Sequence, residues 1–152
     1  MDIIERARKL GYRISLTERG TILLEHFTAA IENIDGIAEE IKRRKKEIVA
    51  YLKEEAQKKE NARVEEIQQN LDIQFEVANQ KLKKEYPGGA FAWCYTNRPD
   101  LDKRINEVER VVSQAYKQAD VKSFTEALDK YLATNREIFK AYLKGKEGLT
   151  HE

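Results

Sequence analysis

Cysteine is almost missing from this 152-residue sequence. Cys94 stands alone, so no intramolecular disulfide can form, and nothing in the chain requires an oxidising compartment. Proline occurs twice and glycine seven times, too few for a β-rich fold dense in tight turns. Charge of one sign is missing too. The 28 Lys and Arg are offset by 27 Asp and Glu, which argues against binding nucleic acid through bulk charge. No apolar run approaches the roughly 20 residues of a membrane helix, and the start Met1-Asp2-Ile3-Ile4-Glu5-Arg6 has no apolar stretch of signal-peptide length. The expectation is a cytoplasmic protein with no membrane partner.

Chemistry-bearing residues are equally sparse. His26, His151 and Cys94 make no nucleophile–base pair at a recognisable spacing. No metal-ligand spacing, Gly-rich phosphate loop or GxSxG turn is present. We therefore expect no enzymatic activity, no cofactor and no metal.

What the chain has is charge at helical spacing. Charged residues make up 36%, against about 25% in an average domain, which favours long solvent-exposed helices. Asp2 to Leu10 reads as a short helix, with Ile3, Ile4, Ala7 and Leu10 on one face, Asp2 as N-cap and Gly11 past its end. A period-2 segment follows, Tyr12 to Thr17, in which Ile14 and Leu16 oppose Arg13, Ser15 and Thr17. Glu18-Arg19-Gly20 is a hairpin loop with glycine able to take positive φ, and Thr21 to Phe27 is the return strand. A lone hairpin is marginal in water, so it must pack on a helix or pair with another chain.

From Ala29 onward the pattern is helical, with a kink or break expected near Asp35-Gly36. Ile37, Ile41, Ile48 and Leu52 form its stripe. The charged stretch Glu54 to Arg63 is either a continuous bridging helix or a helical linker that frays. Val64, Ile67, Leu71, Phe75, Ala78 and Leu82 then give a coiled-coil-like seam that ends at Tyr86-Pro87-Gly88-Gly89. Pro99 opens the next helix, and a break at Gln118-Ala119-Asp120 precedes the last one, capped by Asp120 or by a Ser123–Glu126 capping box and ended by Gly145. The fold class is mainly α with one β-hairpin. A helix-hairpin-helix module over 1–55 and a charged helical linker over 56–61 precede an antiparallel three-helix bundle over 62–145 and a tail over 146–152.

Two features could bind a partner. Lys42-Arg43-Arg44-Lys45-Lys46 is the densest charge cluster, flanked by Glu39, Glu40 and Glu47. It reads as a solvated helix face, a site for an acidic peptide or a nucleic-acid patch. The Tyr86–Pro99 loop concentrates Phe91, Trp93 and Tyr95, which either fold back to cap the bundle or anchor a partner.

The segment Ile3 to Lys53 resembles the TubC N-terminal docking domain family. The opening helix ending Leu10-Gly11, the strand Tyr12-Arg13-Ile14-Ser15-Leu16, the turn Glu18-Arg19-Gly20, the return strand Thr21-Ile22-Leu23-Leu24 and the closing Lys46-Glu47-Ile48-Val49-Ala50-Tyr51-Leu52 carry the resemblance. It implies a dimeric, non-catalytic docking module whose hairpin receives a short peptide from another protein. The candidate partner-binding residues are Arg13, Ile14, Leu16, Ile22 and Leu24 on the hairpin, Lys42, Arg43, Lys45 and Lys46 on the basic run, and Phe91, Trp93 and Tyr95. Pairing of hairpin edges between two copies would cover the same strand edge and so compete with peptide capture. A nucleic-acid-binding accessory protein and a small phage or mobile-element inhibitor of a host machine are the competing readings.

Overall fold

The computed structural model describes residues 2–26, 34–86 and 88–149. The chain is mainly α with a single antiparallel hairpin among the described residues. The elements in order are α1 (Asp2–Lys9), β1 (Tyr12–Leu16), β2 (Ile22–His26), α2 (Ile34–Arg43), α3 (Lys45–Glu85), α4 (Ala90–Asn97), α5 (Pro99–Lys117) and α6 (Val121–Leu149). Two compact units divide the chain, Met1–Ala62 and Arg63–Glu152. The charged stretch 54–63 is helical and lies within α3. With almost no apolar content of its own, it carries side-chain pairs along the helix: Lys58 with Glu54, Lys59 with Glu55, and Gln57 with Asn61.

In the first unit one face of the hairpin is buried against helices. Tyr12 and Ile14 of β1 join Ile3, Ile4 and Ala7 of α1, Ile37 and Ile41 of α2, and Ile48 and Leu52 of α3 in one core. Register pairs Tyr12 with His26, Ile14 with Leu24 and Leu16 with Ile22. The three-residue loop closes as the spacing predicts. Thr17 donates to the Thr21 carbonyl at 2.9 Å, and Gly20 takes φ 72°, which a residue with a side chain adopts only at a cost. The helix expected from Ala29 falls partly outside the described residues, as do Phe27 and His151. The kink or break expected near Asp35-Gly36 borders residues 27–33, which lie outside the described ones. Gly36 sits in the first turn of α2, where its low propensity matters least, and an interruption that the sequence does not announce falls at Arg44. Arg44 binds Glu47 through two nitrogens at 2.9 and 2.7 Å and lies 3.6 Å from Glu40.

The second unit is a bundle in which the later part of α3 runs parallel to α6 and antiparallel to α5. Phe75 meets Tyr131, Tyr86 stacks on Phe139 at 3.8 Å, and Gln68 reaches the Tyr116 carbonyl. Leu71, Ala78 and Leu82 of α3, Leu101, Ile105, Val112 and Ala115 of α5, and Phe124, Tyr131, Ile138 and Tyr142 of α6 form its core. Two expectations are corrected here. The Phe91–Tyr95 segment is the helix α4 rather than a loop, with Cys94 buried on its inner side and burial pushing the thiol pKa up. Gly145 does not end the last helix, which continues to Leu149. Its role is space: a Cβ at 145 would overlap the Trp93 ring, which stands edge-on to Tyr142 at 5.7 Å.

The turn between α5 and α6 decides the capping question in favour of Asp120. Its carboxylate accepts from the Ser123 amide at 3.0 Å and from the Ser123 hydroxyl at 2.7 Å, and those bonds hold its pKa below the usual carboxylate range. At the end of α5 Ala119 donates to the Tyr116 carbonyl and Asp120 to the Ala115 carbonyl, a Schellman closure that forces Ala119 to φ 52°. An L side chain there costs about 1–2 kcal/mol, more than the chain entropy that glycine adds to the unfolded state. Ala119→Gly is therefore expected to stabilise the fold by about 0.5–1 kcal/mol, read as a higher urea midpoint at unchanged slope. An unchanged or lower midpoint contradicts the strain argument.

Candidate docking site

A strand exposes its hydrogen-bonding groups in alternation, and the loop fixes the phase in β1. Because Thr17 pairs with Thr21 through its backbone, residues 15 and 13 occupy the other hydrogen-bonded positions of the ladder. The amides and carbonyls of Tyr12, Ile14 and Leu16 point the opposite way, toward the open side of β1. No third strand pairs with that side among the described residues.

A groove of about 710 Å³ lies along this open side. Gly11 to Leu16 form one wall, and Leu52, Glu55, Ala56 and Lys59 of α3 form the other, with Arg8 beside them. No residue of β2 lines it. The α3 wall is fixed by Ile48 and Leu52 in the core of the first unit, and an ion pair crosses to it from α1: Arg8 Nη2 contacts Glu55 Oε2 at 2.7 Å, and Lys59 Nζ lies 3.6 Å from the other Glu55 oxygen. The Arg8 hydrogen bond, with the Arg8 and Lys59 charges, draws the Glu55 carboxyl below its ordinary pKa, while the bond to Glu55 raises that of Arg8. Arg8, Arg13 and Lys59 set three cations against the single Glu55 carboxylate among the residues that line the groove.

The residues singled out in the sequence are distributed as follows. Arg13, Ile14 and Leu16 line the groove. Ile22 and Leu24 of β2 are half-buried against the core of the first unit and do not face it. Lys42 and Arg43 end α2, and Lys45 and Lys46 open α3. All four are exposed, and Lys42 pairs with Glu39 at 3.0 Å. With Arg44 tied to two glutamates, the basic run is partly neutralised. Phe91 and Trp93 pack on α6, against Phe139 at 6.0 Å and Tyr142 at 5.7 Å, whereas Tyr95 is 73% exposed.

No family model matches the chain, and neither does any curated protein or solved structure. The groove's second wall was not singled out in the sequence, although one signal was present. Ala56 stands four residues after Leu52 and extends the apolar stripe of α3 one turn into the charged stretch. Nothing in the sequence couples Arg8 to Glu55. Among the described residues no group of three or more His, Cys, Asp or Glu side chains is placed to hold a metal ion.

Proposed function

We propose that the protein is a non-catalytic docking protein that captures an extended, acidic segment of another protein as a third strand on β1. The observation that carries this reading is the open β1 edge facing a groove walled by α3. Main-chain bonds to residues 12, 14 and 16 would supply affinity, and the α3 wall would read alternate side chains of the guest. The cation excess selects the sign of its charge. This is the binding mode that the resemblance to TubC-type docking domains implies. The same edge could pair with a second copy, so the dimer and the peptide complex compete for one surface.

The test begins with a displayed library of short unstructured peptides screened against the full chain, the best binder then being added to isotope-labelled protein. Amide exchange of Tyr12, Ile14 and Leu16 should slow at least about tenfold on binding, reflecting newly formed backbone bonds. Arg13 and Ser15, already paired within the hairpin, should change little. A binder that leaves the three outward amides exchanging at their free rate overturns the reading.

A further inference from the structure

Two carboxylates of the second unit have no cation to answer them. Asp72 of α3 and Glu109 of α5 make no ion pair among the described residues, and on its own helix neither has a Lys or Arg three or four positions away. Both border one apolar recess of about 300 Å³. Two like charges at one recess repel each other, and a cation bound between them removes that cost.

The walls of the recess are almost wholly apolar and mainly aromatic: Phe75 of α3, Tyr116 of α5, and Phe124 and Tyr131 of α6. Phe124 and Tyr131 are buried, Phe75 and Tyr116 are half-buried and the two acids are exposed, which sets the rings inside and the carboxylates at the mouth. The ring centroids of Phe75 and Tyr131 lie 5.6 Å apart. Tyr116 donates its hydroxyl to Asp72 Oδ2 at 3.2 Å, and Tyr131 donates to Asn79 Oδ1 at 3.3 Å. No Lys, Arg or His lines the recess. Burial first, and then the Glu109 charge, push the Tyr131 phenol's pKa up; burial first, and then Asp72, do the same at Tyr116. The negative field of both acids therefore reaches the rings. A ring face and a carboxylate attract the same kind of partner, an organic cation, the ring through its quadrupole and the acid through its charge. An anion is repelled here, and a neutral molecule leaves the repulsion of the acids in place.

We propose that this recess binds a small alkylammonium ion, its methyl groups packed against Phe75, Tyr116, Phe124 and Tyr131 and its charge beside Asp72 and Glu109. The volume lies at the small end of ligand pockets, which run from about 300 to 1,000 Å³, and suits a compact quaternary head. A free amine fits better than the phosphocholine head group of a lipid, which would bring a phosphate up to the two acids. The site is independent of the groove on β1, and neither reading needs the other.

The probes are choline, its uncharged carbon isostere 3,3-dimethyl-1-butanol, and phosphocholine, titrated into the isotope-labelled full chain. The ring signals of Phe75, Tyr116, Phe124 and Tyr131 are followed by NMR. Choline should shift these rings, and its own methyl signal should move upfield on binding. The isostere, lacking the charge, and phosphocholine, carrying an anion, should each bind about tenfold more weakly. Asp72→Asn with Glu109→Gln, both at exposed positions, should weaken choline about tenfold, leave the isostere unchanged and reduce the salt dependence of choline binding. Phe75→Leu keeps the wall apolar but removes a ring face, and should narrow the preference for choline over its isostere. Trp93 fluorescence in urea checks that each variant stays folded. Rings unmoved at about 10 mM choline, where even millimolar affinity would show, overturn the proposal. Equal affinity of choline and either of the other probes for the unmodified protein overturns it as well, as does undiminished choline binding after loss of both acids.

Discussion

Methylating the backbone nitrogen of Ile14 should weaken peptide capture by about 10- to 100-fold while leaving the hairpin folded. The Ile14 amide lies at the middle of the outward-facing set, so a guest strand loses a central donor and meets a methyl group at the point of closest approach. Leaving one guest carbonyl buried without its partner costs about 1–3 kcal/mol, and that is the origin of the expected factor. N-methylisoleucine, introduced by cell-free translation, keeps the side chain that is 5% exposed in the core. Ile14→Pro makes the same deletion genetically but also empties that core position, so it requires a check that hairpin and helix signals survive. Methylating Ser15 is the internal contrast. Its amide belongs to the hairpin ladder, and its loss should unfold the hairpin rather than merely close the edge. Undiminished peptide affinity in a folded Ile14-methylated protein would remove β1 as the docking strand.

The largest stability effect is expected at Phe124. It is 1% exposed, it is among the largest fully buried side chains, and its amide donates to the Asp120 carbonyl where the α5–α6 turn becomes helix. Phe124→Ala should cost the second unit about 3–5 kcal/mol, the usual range for truncating a buried aromatic. An apolar recess of about 300 Å³ already adjoins the ring, between Phe75, Tyr116 and Tyr131. Partial collapse into it would place the result toward the lower end of that range. Urea unfolding followed by Trp93 fluorescence reads this unit directly, because Trp93 is the sole tryptophan and packs on Tyr142. Val121→Ala, three residues away and 47% exposed, should stay within about 0.5 kcal/mol of the parent. A loss below about 1 kcal/mol at Phe124 would mean that the start of α6 is not packed as described.

The parts of the fold legible in the sequence were those governed by local periodicity. The hairpin announced itself through strict alternation from Tyr12 to Thr17 and a glycine at the loop position needing positive φ. The seams of α3, α5 and α6 showed as steps of three and four, and Pro99 marked the start of α5. The features that escaped depend on residues far apart in the chain. Phe91, Trp93 and Tyr95 alternate, which is the wrong period for a helix of eight residues. α4 is helical because Ala90 and Cys94, four apart, bury one narrow face in the bundle. No glycine or proline marks the interruption at Arg44, where a side chain bound to Glu40 and Glu47 sits between two helices. The groove was half legible. Its strand could be read from Arg13, Ile14 and Leu16, but its second wall lies some forty residues further on and takes its position from the packing of Ile48 and Leu52 against α1, α2 and β1.

The Trp93 ring occupies the space that a Cβ at position 145 would take. A side chain at 145 requires the Trp93 ring to move, and with it the ring's edge-on contact with Tyr142. Two positions fifty-odd residues apart are thus coupled through one contact, so an enlargement at 145 is expected to be tolerated better when 93 carries a smaller side chain.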